Sequence, residues 1–169
     1  MTEAEKLLWG VLGESDRAAP GGLEARTDHI SQTLAEGPAE RVAEFGRQMD
    51  AALERANTWA LWGAAFIING GASADGFLYF RGWLLMQGRK VFDAAVNNPE
   101  TLAGVSGIKP DECEWEDILY LPAHLYQQVT GQALPPSGHR PEGDPAGTPW
   151  QEDELEQRFP KLWAAFGAA

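Results

Sequence analysis

The sequence predicts an all-α fold, a compact multi-helix bundle built around a central apolar helical hairpin, and three observations lead there. Apolar residues recur at spacings of three and four through most of the 169 residues. No segment alternates for long enough to make a strand. Two stretches between Trp59 and Met86 are apolar nearly all round, which places them in an interior.

Leu7, Leu8, Val11 and Leu12 mark a first short helix ending near Gly13, and Pro20-Gly21-Gly22 breaks the chain after it. Leu23, Ile30 and Leu34 mark a second helix that stops at Gly37-Pro38. In the third, Val42, Phe45, Met49, Ala52 and Leu53 form one stripe, with Glu40, Arg41, Glu44, Arg47, Asp50 and Glu54 outside it. The interior pair follows, running from Trp59 to Ile68 and from Phe77 to Met86. Between them lies Asn69 to Gly76, where glycines permit a left-handed turn, Ser73 can cap the next helix and Asp75 suits its first turn. This is a tight helical hairpin. Arg89 to Val96 continues helical until Asn97-Asn98-Pro99, and a last core helix runs from about Cys113 to Gly131, bent at Pro122, with Ile118, Leu119, Leu125 and Val129 inward.

Leu134 to Pro149 holds five prolines and three glycines in sixteen residues, a linker or surface strap. Beyond it Leu155, Phe159, Leu162, Trp163 and Phe166 repeat at helical spacing, too apolar a face to stay in water. The expected organisation is therefore a helical core over 1–133, a linker over 134–149, and an amphipathic segment over 150–169 that docks on the core.

Thirteen Lys and Arg against 25 Asp and Glu leave a net charge of −12, and no basic run exceeds Arg89-Lys90, so nucleic acid is excluded as a partner. Met1 to Gly13 is interrupted by Glu3, Glu5 and Lys6 and does not read as a signal peptide. No stretch approaches the roughly eighteen apolar residues of a membrane span. The expectation is a cytoplasmic protein with no membrane partner. One cysteine, Cys113, makes neither an internal disulfide nor a structural zinc site. Without a heptad seam, nothing in the pattern specifies an oligomeric state.

The run Trp59-Ala60-Leu61-Trp62-Gly63-Ala64-Ala65-Phe66-Ile67-Ile68-Asn69-Gly70-Gly71, followed by Ser73, Asp75-Gly76-Phe77 and Phe80-Arg81-Gly82-Trp83-Leu84, resembles a bacterial family catalogued as domain of unknown function number 4240. The similarity extends through Gln87-Gly88-Arg89 and Pro99-Glu100-Thr101-Leu102 to about Gly131. The resemblance implies an intracellular bacterial setting and no settled reaction. Relatives commonly read Cys-Ser-Asp-Asp-Gly-Phe where this chain has Ala72-Ser73-Ala74-Asp75-Gly76-Phe77, which weakens any chemistry that needs a thiol or paired carboxylates there.

Arg81 is the sharpest anomaly. A guanidinium keeps its proton, and a charge inside an apolar helix needs an acid nearby. Asp75 lies off its helical face, so Asp93, Glu116 or Asp117 from another helix is the expected partner. Two readings stand: a core salt bridge, or a carboxylate or phosphate clamp beside the Gly-Gly loop. Trp59, Trp62 and Trp83 belong to the core at their helical spacing or line a ligand pocket. Asp117 and His124 share a helical face yet stand roughly 10 Å apart along it at about 1.5 Å per residue, so one ion cannot take both and no metal is expected. The acidic run before them reads as a solvated helix start. No cofactor motif occurs, since Gly70, Gly71 and Gly76 lack the dinucleotide spacing and no strand precedes them. Acidic neighbours on both sides of Cys113 raise its pKa and make it a poor nucleophile.

The candidate ligand-binding residues are therefore Trp59, Trp62, Ser73, Asp75, Arg81, Trp83, Asp117 and His124. The expected function is a non-catalytic helical binding or regulatory module for a protein partner or a small anionic ligand. The competing reading is an enzyme acting on an anionic or peptide-like substrate, with Arg81 as clamp and Asp75, Asp117 or His124 as acid or base.

Overall fold

A computed structural model describes residues 3–167, and among them the fold is all-α with no strand. The chain forms two compact units, one from Met1–Glu54 and Trp115–Pro141, the other from Arg55–Glu114 and Glu142–Ala169.

In the first unit, α1 (Glu3–Ala18), α2 (Leu23–Ala35), α3 (Ala39–Arg55) and α7 (Asp117–Thr130) bury the stripes that the sequence marks. Leu8, Val11 and Leu12 of α1, Ile30 and Leu34 of α2, and Val42, Phe45, Met49 and Leu53 of α3 are inside. α1 does not stop at Gly13. A mid-helix glycine costs only about 1 kcal/mol, and the next turn is held by tertiary bonds. The Ser15 hydroxyl donates to Leu12 O at 2.7 Å, and Arg26 of α2 donates to Ser15 Oγ and Leu12 O, each at 3.2 Å. Gln48 sits in the apolar stripe of α3 because its Oε1 accepts the Leu8 amide at 2.8 Å. Gly46 permits close approach, since a Cβ there would stand 3.0 Å from Pro122 Cβ. α7 begins at Asp117 and not at Cys113, and its Val129 faces solvent at 47% exposure where the pattern placed it inward. That side of α7 has nothing to cover it within the unit, so period alone misassigned the residue.

The second unit holds the apolar hairpin, α4 (Trp59–Ile68) and α5 (Ala74–Met86), then α6 (Arg89–Asn97) and a 3₁₀ turn at Pro99–Gly104. Thr58 caps α4 by accepting from Leu61 N at 3.1 Å, and Ser73 caps α5 by accepting from Gly76 N at 3.1 Å. Gly70 and Gly71 take φ of 66° and 131°, which a side chain resists. Asn69 fastens the following loop: its Nδ2 donates to Cys113 O at 3.1 Å while its Oδ1 accepts Cys113 N at 3.2 Å.

The proline-rich stretch divides between the units, with 134–141 in the first and 142–149 in the second. Its second half is laced to the start of α4. Ala146 N donates to Asn57 O at 3.0 Å, Trp59 N to Ala146 O at 2.9 Å, and Asn57 Nδ2 to Gly143 O at 2.8 Å. The C-terminal residues then form a 3₁₀ turn at Glu152–Glu154, α8 (Leu155–Arg158), α9 (Pro160–Leu162) and a π turn at Trp163–Gly167. Leu155, Phe159 and Leu162 are buried. Their seat is Gly63 of α4, where a Cβ would come within 2.7 Å of Phe159 Cε2 and 3.3 Å of Leu155 Cδ2. Glu100 caps α9 from outside, accepting from Lys161 N at 3.2 Å and Leu162 N at 2.8 Å. Packing, not composition, sets these boundaries, because a segment poor in apolar side chains can still be held by its backbone.

Candidate functional site

Three aromatic rings and a guanidinium form one stack in the second unit. Trp59 lies parallel to Trp62 with centroids 5.1 Å apart, Trp62 parallel to Phe77 at 5.2 Å, and the Arg81 guanidinium sits 4.5 Å from the Phe77 centroid. The spacing of the two helices produces this: Trp59 and Trp62 are one turn apart on α4, Phe77 and Arg81 one turn apart on α5. Trp62 is fixed by donating Nε1–H to Ala72 O at 2.9 Å. Trp150 packs edge-on against both tryptophans and donates to Trp59 O at 2.7 Å.

A cavity of about 230 Å³ opens against this stack, lined by Asn57, Trp62, Phe77, Arg81, Glu142 and Pro145 among others. Arg81 is 2% exposed, as its apolar neighbours require. The acid acting on it is Glu142 of the proline-rich segment, not a helix residue such as Asp93, which pairs with Arg55 at 3.0 Å and Arg89 at 3.2 Å. Burial lowers the Arg81 pKa to about 10 against the raising effect of Glu142, so the guanidinium is still charged at neutral pH. Sequence reasoning had no signal for Glu142, which lies in a stretch without periodicity. Trp150 stands just after the prolines, and a large aromatic there is the local signal that this segment packs.

Ser73 and Asp75 do not line the cavity. Ser73 serves as the cap of α5, and Asp75 is exposed in its first turn. Trp83 is a core residue, 5.4 Å from Phe80 ring to ring.

Asp117 and His124 belong to the first unit, where they line one groove of about 240 Å³ between α2 and α7 together with Asp28, Tyr120, Leu121 and Leu125. Tyr120 stacks on His124 with centroids 6.1 Å apart and donates its hydroxyl to Glu116 at 2.8 Å. Trp115 closes one end of the helix pair by donating to Thr27 Oγ1 at 2.9 Å. The structure thus brings Trp62 to the Arg81 cavity, with Trp59 behind it, and gathers Asp117 and His124 at the groove.

Cys113 is buried, and its pKa is pushed up to about 11 by that burial first and by Glu112 and Asp111 after it. The direction is the expected one and its main cause differs. Among the described residues no group of three or more His, Cys, Asp or Glu side chains is placed to hold a metal ion, and no helix is long and apolar enough to cross a membrane.

The family model described as "Protein of unknown function (DUF4240)" matches residues 1–128. The chain belongs to this family. The matched region of this DUF4240 member includes Trp62, Phe77 and Arg81 and ends within α7, so Glu142 and Trp150 lie beyond it. No curated protein and no solved structure matches the chain.

Proposed function

We propose that this DUF4240 protein is a non-catalytic binding module that takes a small anionic ligand, bearing a carboxylate or phosphate, in the cavity beside Arg81. The observation that carries this reading is a buried guanidinium, stacked on Phe77, that lines the wall of an open cavity. An anion in the cavity meets the Arg81 charge, and the rings of Trp62 and Phe77 give it a fixed apolar wall. The enzyme reading asks for Asp75, Asp117 or His124 beside Arg81. Asp75 is exposed at the start of α5 and does not line the cavity, which favours the module.

The test is a thermal-shift and calorimetric titration with phosphate, citrate and malonate, against glucose as neutral control. A ligand at about 100 times its Kd stabilises by roughly 2.7 kcal/mol. Binding of one of the anions, lost in Arg81→Met and tightened in Glu142→Gln, is the expected result. Titrations flat for all three anions, or unchanged by Arg81→Met, overturn the reading.

A further inference from the structure

The groove between α2 and α7 has no part in the small-anion reading, and its chemistry is of the opposite sign. Its floor is Leu121 and Leu125, and its walls carry the carboxylates of Asp28 and Asp117. The sequence places no Lys or Arg between Lys109 and Arg140, so α7 contributes neither, and its imidazole at the groove, His124, is stacked on Tyr120. The one cation of α2, Arg26, is buried toward α1, where it bonds Ser15 and Leu12 and stands 3.6 Å from Asp16. The groove therefore carries two carboxylates with no Lys or Arg set against them on either helix that forms it.

A second observation comes from exposure. The large apolar side chains most open to solvent among the described residues, Tyr120 at 43% and Val129 at 47%, are both on α7. Tyr120 is not loose, because its hydroxyl is tied to Glu116 and its ring to His124. A fixed aromatic face beside carboxylates and an apolar floor matches a long cationic side chain: methylenes lie on leucine, the charge meets carboxylates, and the ring adds a cation–π contact. A cavity of about 240 Å³, open to solvent, has room for a side chain and not for a docked helix.

We infer that the α2–α7 groove docks a basic, extended segment of a partner protein, taking one Lys or Arg side chain along Leu121 and Leu125 with its cation at Asp28 and Asp117, beside the Tyr120 ring. The partner is fixed by charge. A chain at −12 repels acidic surfaces and phosphate backbones, and this groove concentrates that field over an apolar strip.

The test uses the full chain and a fluorescein-labelled, acetylated peptide of alternating arginine and alanine, with its glutamate counterpart as control, read by anisotropy at physiological ionic strength. Because a strongly acidic protein attracts any basic peptide, the decisive comparison is between two variants of equal charge change. Asp28→Asn with Asp117→Asn is expected to weaken binding by about five- to tenfold, while Glu152→Gln with Asp153→Asn, exposed in the C-terminal segment, changes it less than about twofold. Tyr120→Ala is expected to weaken binding with no change of charge. Equal weakening by the two double variants, or no weakening by the first, overturns the proposal. Amide shifts of the unmodified protein give an answer that needs no variant: changes gathered on α2 and α7 support the groove, and changes spread over the acidic surface overturn it. The peptide readout is separate from the anion titrations, so failure of one proposal leaves the other standing.

Discussion

Each unit buries one arginine of special interest, and the two are handled differently. Arg26 in the first unit reaches a hydroxyl, a carbonyl and the exposed carboxylate of Asp16, all on the neighbouring α1. Arg81 in the second unit lies over the face of Phe77 and lines an open cavity with Glu142 across from it. Burial lowers the pKa of both and takes Arg81 down to about 10. A buried cation bonded to backbone and hydroxyl groups works as a fastener between helices, whereas one stacked on a ring at a cavity wall keeps a face toward whatever enters.

The largest expected effect breaks the second unit at its clamp. Phe159→Ala removes the ring seated on Gly63 and should cost about 3–5 kcal/mol, with amide exchange rising first in α4 and the 142–150 strap. Chemical denaturation and hydrogen exchange would check this. A cost below about 1 kcal/mol would mean that the strap holds its place without the tail.

The next two predictions set the arginines against each other. Arg26→Met withdraws donors from Ser15 Oγ and Leu12 O inside the protein and should destabilise by about 1–3 kcal/mol. Arg81→Met removes the stack on Phe77 and the attraction of Glu142 but also the burial of a charge, so without ligand it should cost less than Arg26→Met. Urea unfolding of both variants gives the contrast directly. If Arg81→Met costs as much as Arg26→Met, Arg81 is a fastener too, and the binding reading loses its support.

The smallest effect is silent at neutral pH. The folded state holds the Cys113 proton up to about 11, above the ordinary 9.0, so the thiol stabilises below pH 9 and that contribution disappears as pH climbs through about 11. Stability measured from pH 8.5 to 10 should therefore fall in the parent and fall less in Cys113→Ala. At pH 8 alkylation of Cys113 by iodoacetamide should run about 100-fold slower than that of a free thiol, since thiolate is the nucleophile. Ordinary reactivity would place Cys113 outside the packing seen here.

The sequence by itself determined what depends on short spacing and local chemistry. Periodicity of three and four set the helices, the all-round apolar runs set the buried hairpin, Ser73 is the cap of its second helix, and a charged residue amid apolar neighbours marked Arg81 as buried. Nothing in the sequence singles out Arg26, and only its packing against α1 shows that this polar position of α2 faces inward. Partners far apart in the chain belong to the tertiary structure alone: Glu142 to Arg81, Trp150 to Trp59, Asn69 to Cys113, and Asp28 to the groove that holds Asp117 and His124. Val129 faces outward and α1 runs past Gly13 for the same reason. Spacing along a chain fixes which residues share a face, but which faces meet is settled by long-range packing and by backbone bonds from segments that carry no periodicity.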